Sequence, residues 1–216
     1  MNHWIELLTP SLLETLYMVF VSVFFTILFG LPLGVILVVT DKNHILPNPW
    51  LNGVLSYIIN ISRSLPFIIL MIFIIPFTRL VVGTTIGTTA AIVPLVIAAT
   101  PFFARVVETS IREVDWGVVE ASISMGATPS QIIFKVLIPE AMPSLILGIT
   151  ITIINILGYS AMAGVVGGGG LGDLAVRYGY HRFQTDVMIM TVILLIILVQ
   201  IIQTAGNRFS QNINKK

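Results

Sequence analysis

Along the 216 residues, apolar positions do not alternate with polar ones; they run in blocks. Residues 15–40, 80–104, 141–172 and 187–207 each pass without a charged side chain. Crossing the roughly 30 Å hydrocarbon layer takes about 20 apolar residues in a helix, because lipid offers the backbone no hydrogen-bond partner. All four blocks are long enough. A fifth, VLSYIINISRSLPFIILMIFIIPF at 54–77, carries Arg63. An arginine at mid-helix costs about 2.5–3.5 kcal/mol on insertion scales, which surrounding Leu, Ile, Phe and Val offset at about 0.3–0.6 each. The segment is expected to insert with Arg63 toward the inner end, its side chain reaching the interface or a partner there. The pattern predicts an all-α integral membrane protein of five transmembrane helices, over about 10–40, 54–77, 85–109, 141–166 and 186–207, in a single domain spanning 1–216. A short helical segment at 118–139 lies between the third and fourth.

Helix punctuation agrees with these blocks. Thr9 followed by Pro10 reads as an N-cap and first-turn proline, and Asp41 with LPNP at 46–49 marks the end of the first helix. Pro66, Pro94, Pro101 and Pro143 predict kinks. The pairs Gly30/Gly34 and Gly83/Gly87 permit close helix approach, a frequent feature of membrane segments. With an odd number of spans the termini lie on opposite sides. Placing the N-terminus outside puts Lys42, Arg63, Arg105, Arg112, Lys135, Arg208, Lys215 and Lys216 inside and only Arg79, Arg177 and Arg182 outside. The lysine and arginine bias therefore sets the C-terminus and the 118–139 segment in the cytoplasm.

Composition removes several chemistries. Charged residues are 10% of the chain, where soluble domains carry about 25%. There is no cysteine, and His3, His44 and His181 lie far apart, so no metal site is expected. The basic residues form no stripe for nucleic acid. MNHWIELLTP lacks the positive start of a signal peptide, so the first apolar run is expected to be retained.

The segment between the third and fourth spans is built with care. Thr128-Pro129-Ser130-Gln131 reads as a capping box with proline at the first helical position. A helix starting there places Ile132, Ile133 and Val136 on one side, and Pro139 is expected to close it. Glu120, Ala121 and Ser122 lie in an upstream short helix that Glu120 is expected to open, with Gly126 supplying a left-handed corner. An amphipathic segment lying on the membrane surface would share the apolar side. It would also want more basic residues than the single Lys135 between 113 and 139.

EAS at Glu120–Ser122, three residues, Gly126, nine residues and then VLIP at 136–139 resemble the EAA motif of ABC importer permeases, written EAA, three residues, G, nine residues, I-x-L-P. Ser122, Val136 and Ile138 are small departures. RSLPFIIL at 63–70, IPFTRLVVGTTIG at 75–87 and GYSAMAGVVGGGGLGDLAVRYGY at 158–180 further resemble the methionine importer permease family, small type I members. The resemblance covers nearly the whole chain. It implies that 118–139 is a cytoplasmic coupling segment whose Glu120, Ala121, Ser122, Gly126, Ile132, Ile133, Val136 and Pro139 meet an ATP-hydrolysing subunit. It further implies a second copy of the chain, two copies of the ATP-binding subunit and an extracytoplasmic substrate-binding protein. The chain has no GxxxxGK[ST] loop, so ATP and Mg are expected on the partner and no cofactor on this chain. A permease for another amino acid, or a stand-alone secondary transporter, is the alternative. The latter would want an inverted repeat and an embedded carboxylate, and no Asp or Glu lies between 42 and 107.

In the fourth span Gly148, Thr152, Asn155, Tyr159, Met162 and Val166 recur at steps of three and four and so share a face. Such a face either packs helices together or borders a wet passage. Asn155, Tyr159, Ser160 and Met162 are the candidate pathway residues. The run Gly167, Gly168, Gly169, Gly170, Leu171, Gly172 follows a membrane helix and not a strand, so GxGxxG there is no nucleotide cradle. It is expected to be a mobile external loop that gates the passage.

Overall fold

The computed structural model describes residues 2–213, and among them every regular element is helical. Lys215 and Lys216, counted above for orientation, lie outside the described residues. Helix α1 (Asn2–Val39) runs through Pro10 and Pro32. Pro10 therefore does not start the helix, as the Thr9–Pro10 pair suggested. Helix α2 (Pro49–Ser64) begins at an Asn48 cap whose side chain accepts from the Leu51 N–H, with Pro49 where a missing N–H costs nothing. Its continuation α3 (Phe67–Phe73) is turned by 103°, and α4 (Ile75–Val82) follows directly. The kink expected at Pro66 is a full break of the 54–77 span at Leu65–Pro66, where Leu65 is forced out of helical geometry at φ −82°, ψ 126° by the proline behind it.

Helix α5 (Thr88–Arg112) is continuous through Pro94 and Pro101. After it come α6 (Trp116–Ser124), α7 (Pro129–Ile132), a π-type turn over Ile133–Leu137, and α8 (Ile138–Ala163). A second π-type turn (Gly164–Gly168) leads into the short α9 (Gly170–Leu174), and α10 (Thr185–Ile213) closes the bundle. Four stretches are long and apolar enough to cross a membrane singly: Glu6–Val39, Thr88–Arg112, Pro129–Gly168 and Thr185–Ile213. The bent α2–α3 pair meets the same test when its two helices are taken as one span, which brings the number among the described residues to five.

Helix α5 is the spine, contacting α1, α2, α3, α4 and α8. Lipid tails are as apolar as leucine, so burial alone does not drive these helices together; close van der Waals approach does. Gly34 lets α1 lie so near α5 that a Cβ there would stand 2.5 Å from the Val107 Cβ and 2.6 Å from the Ala104 carbonyl. A Cβ on Gly30 would stand 2.8 Å from the Phe103 ring. The Gly30/Gly34 pair is therefore a true helix contact despite Pro32 between them. Gly83 and Gly87 are not: both have positive φ, +80° and +100°, and nothing lies within 4 Å of a Cβ at either. Gly148 repeats the device between α8 and α5 against Val106, and Gly206 between α10 and α8 against Thr150.

Two changes separate packing from composition. Gly34→Ile is expected to destabilise the bundle by about 1–3 kcal/mol through overpacking. Gly53→Ala, on an open face with nothing within 4 Å, is expected to be neutral or slightly stabilising. Thermal melting of the detergent-purified protein, read against each variant, measures the difference.

Candidate coupling segment and translocation path

The segment between α5 and α8 is an elbow with capped ends. Asp115, in extended geometry, accepts the Gly117 N–H at 2.6 Å and so caps α6. Glu120 lies five residues into that helix and not in its first turn, which corrects its expected role as a cap. At the other end Gly126 adopts φ +80°. The Ala127 N–H then reaches the Ser122 carbonyl at 3.1 Å and the Gly126 N–H the Ile123 carbonyl at 2.9 Å, a Schellman closure. Two residues later the Gln131 N–H donates to the Thr128 hydroxyl at 3.4 Å while the Thr128 N–H donates to the Gln131 side-chain oxygen at 2.9 Å. The capping box read from TPSQ is present in full.

Pro139 does not end the second helix. The chain stays helical from Pro129 through α8 to Val165, where the backbone kinks at Val166 and Gly167. Proline at 139 has no N–H to give and its ring crowds the carbonyl four residues back. The π-type turn just before it absorbs both, with the Ile138 N–H reaching back five residues to the Ile133 carbonyl. The elbow's second arm and the fourth membrane helix are consequently one rod.

Packing against α1 and α5 decides which residues face outward. Ile132, 2% exposed, belongs to the chain's own core with Val119, Leu137, Val107 and Ile111, and Ile133 and Val136 are half-buried. Ile132, with Ile133 packed beside it, thus forms an inward keel, and Val136 keeps part of its surface outside. Ser122 is buried too, its hydroxyl donating to the Val118 carbonyl at 2.8 Å. Outside are Glu120, Ala121, Gly126 and Pro139, joined by two residues the sequence reading missed: Met125, 80% exposed, and Phe134, 70% exposed. Large apolar side chains at a helix-capping corner, outside any membrane run, were the available signal.

Behind the elbow a charged cluster ties three elements together. Arg112 pairs with Asp41 at 2.8 Å and Glu108 at 3.1 Å. Arg105 pairs with Glu108 at 2.5 Å and donates to the Asn60 side chain at 3.0 Å and the Ser56 carbonyl at 3.3 Å. The Lys42 N–H at 2.7 Å and the Arg112 guanidinium hold the Asp41 carboxyl below its ordinary value. His44 stacks edge-on against Trp116 at 5.3 Å, beside a cavity of about 310 Å³. Burial pushes its imidazole below the ordinary value, while Asp41 pulls it back and Arg112 adds to the depression.

On α8 the proposed pathway residues separate. Tyr159 stacks on Phe67 of α3, rings 4.7 Å apart and nearly parallel, and Met162 is 44% exposed on the same face. Asn155 on that face is half-exposed. Ser160, 2% exposed, turns into the protein and donates to the Leu157 carbonyl at 2.8 Å, so it does not join them. Thr152 is likewise buried and bonds the Gly148 carbonyl. The largest cavity, about 810 Å³ between α1, α2, α4 and α5, is lined almost wholly by hydrocarbon and suits acyl chains rather than a zwitterion.

The glycine run is a packed corner, not a free loop. Gly168, Gly170 and Gly172 are buried. A Cβ on Gly172 would stand 2.2 Å from the Ala161 carbonyl, so α9 folds back directly onto α8. Glu14 accepts the Gly170 N–H at 2.7 Å, Thr15 the Leu171 N–H at 2.8 Å, and Gly167 the Gly87 N–H at 2.9 Å. Gly167, Gly169 and Gly170 take positive φ of +89°, +77° and +78°, which explains the residue type there.

Residues 30–215 match the family described as binding-protein-dependent transport system inner membrane component. A probable D-methionine transport system permease protein of Vibrio cholerae is 53% identical over 211 residues, covering 98% of this chain and 94% of its own. A methionine import system permease protein of Bacillus subtilis is 48% identical over 181 residues, covering 84% and 82%. The solved inward-facing MetNI methionine ABC transporter contains a chain 50% identical and fully coextensive with this one, at a TM-score of 0.98. An amino acid ABC transporter at 21% identity and a TM-score of 0.80 shares the fold.

The neutral His44 is the form the fold selects. Its contribution is complete above the ordinary value of 6.5 and is lost as pH falls from there through the lowered folded value. Melting temperature of the wild type is therefore expected to drop more between pH 7.5 and 5.5 than that of His44→Phe, which keeps a ring against Trp116 and takes up no proton. Identical drops in the two proteins contradict this.

Proposed function

Since the chain belongs to the binding-protein-dependent transport system inner membrane component family, we propose that it is the permease subunit of an ATP-driven importer of methionine. It carries L- and D-methionine across the bacterial inner membrane by alternating access, with its N-terminus outside and C-terminus in the cytoplasm. It works as a pair of identical permeases with two copies of an ATP-binding subunit, which hold the ATP and Mg, and it receives substrate from an extracytoplasmic binding protein. Names carried by relatives at 53% and 48% identity support the substrate.

The observation that carries the mechanism is the elbow. Its keel is sunk into the ends of α1 and α5, its second arm is continuous with α8, and its outer face offers Met125, Phe134, Glu120 and Ala121. A stroke delivered to that face by the ATP-binding subunit moves α6 and α8 together, because Val119 of α6 packs against Ile132 and Leu137, which are continuous with α8. Tilting α8 swings Tyr159 and Met162 and opens the passage to one side or the other.

Co-purification with the ATP-binding subunit and uptake of labelled methionine test the assignment. Met125→Asp and Glu120→Lys are expected to lower binding-protein-stimulated ATP hydrolysis about tenfold or more, as loss of a central contact does at other interfaces. Ser130→Ala, exposed on the far arm, is expected to change it little. Full stimulation in both outer-face variants, with the protein inserted and assembled, removes the elbow from the mechanism.

A further inference from the structure

Arg63 is exposed on this chain, in the last turn of α2, about 22 Å along that helix from the Asn48 cap. The residue beside it on α5 is Phe102, about 15 Å along that helix from Arg112. Directly after Arg63 the chain turns by 103° at Leu65–Pro66, which sets the arginine at the bend of the paired α2–α3 segment. An ionisable side chain within a spanning segment faces a wet cavity or a partner.

Arg63 faces two cavities. One, of about 140 Å³, is walled by the stacked pair Phe67 and Tyr159, with Phe102. The other, of about 400 Å³, is lined by Arg105, Thr109 and Ser144 and lies toward the elbow end of α5. They share Arg63 and Phe102, so they form one passage with the arginine at the join. No carboxylate lines either cavity among the described residues. The nearest, Glu108, is already paired with Arg105 and Arg112. The join therefore carries uncompensated positive charge beside an aromatic chamber. That pairing matches an amino acid with an apolar side chain: a carboxylate, which accepts bidentately from the guanidinium, and a chain for the rings.

We propose that Arg63 is the carboxylate receptor of an intramembrane site for the amino acid in transit, with Phe67, Tyr159 and Phe102 holding its side chain. This rests on the reading of the chain as an amino-acid permease and adds the residue that holds the substrate inside the membrane. The sequence marks Arg63 only as the one charged side chain of the 54–77 block; its place between the two cavities follows from how sharply the chain turns at Pro66.

The test is methionine uptake into proteoliposomes holding the complete importer with its binding protein, for wild type, Arg63→Gln and Arg63→Lys, each checked for assembly with the ATP-binding subunit. No uptake by the wild type overturns the functional reading itself. With wild-type uptake present, Arg63→Gln is expected to fall about tenfold or more, as a lost charge-assisted hydrogen bond implies, and Arg63→Lys to retain several times the Gln activity. Uptake by Arg63→Gln near the wild-type rate, or equal losses in Gln and Lys, overturns the site while leaving the permease assignment standing. Should Arg63→Gln fail to assemble, Phe102→Trp, which fills the smaller chamber, takes its place: a several-fold loss supports the site and unchanged uptake overturns it.

Discussion

The structure depends on one contact, the burial of the elbow's keel against the membrane bundle. Val119, Ile132 and Leu137 sink among Val35, Val38, Val107 and Ile111 at the end of α1 and α5. Each fully buried Val, Leu or Ile contributes about 1.5–3 kcal/mol where water is excluded, as it is at this membrane-proximal end. Without the keel, α6 would hang from a three-residue link after Arg112, and a push on Met125 would bend the link instead of moving a helix. With it, the short capped helices become the handle of a rod that reaches through the membrane.

Inside the bilayer the same rigidity comes from different chemistry. Hydrocarbon solvent removes the hydrophobic drive, so contact is set by how near two backbones can come. Gly34 against Val107, Gly148 against Val106 and Gly206 against Thr150 lock α1, α5, α8 and α10 in series. At the far end Glu14 and Thr15 clamp the glycine corner to α1. A displacement at the elbow therefore travels along α8 to a corner that is held, not slack. Any gating there proceeds by breaking specific hydrogen bonds rather than by motion of a free loop.

Much of this was legible in the residues. Uncharged runs longer than a bilayer crossing fix the helical class, and TPSQ with Gly126 gives the elbow down to its hydrogen bonds, because capping is local chemistry. What failed was decided by geometry between elements. Pro139 looks like a terminator, yet a π-type turn accommodates it. The apolar side with Ile132 and Ile133 faces the chain's own core and leaves Phe134, about 200° from Ile132, outside; which side faces in depends on the neighbouring helices. Pro66 announces a kink, but not one of 103°. Ser160 adjoins Tyr159 in sequence and so turns about 100° away from it, into the core. The Gly83/Gly87 and Gly30/Gly34 pairs share a spacing and differ only in whether a neighbour lies across from them.

The claim that the elbow and α5 move as one piece is open to direct measurement. The chain has no cysteine, so spin labels go onto single introduced cysteines without background. Labels at Ala121 on the elbow and Ile86 just before α5 bracket the spine, and a pair of Ala121 labels spans the two copies. Between nucleotide-free and nucleotide-trapped importer, the account predicts an unchanged Ala121–Ile86 distance within a protomer and a changed Ala121–Ala121 distance across the pair. A change within the protomer as large as the one across the pair would show the keel slipping, and contradict it.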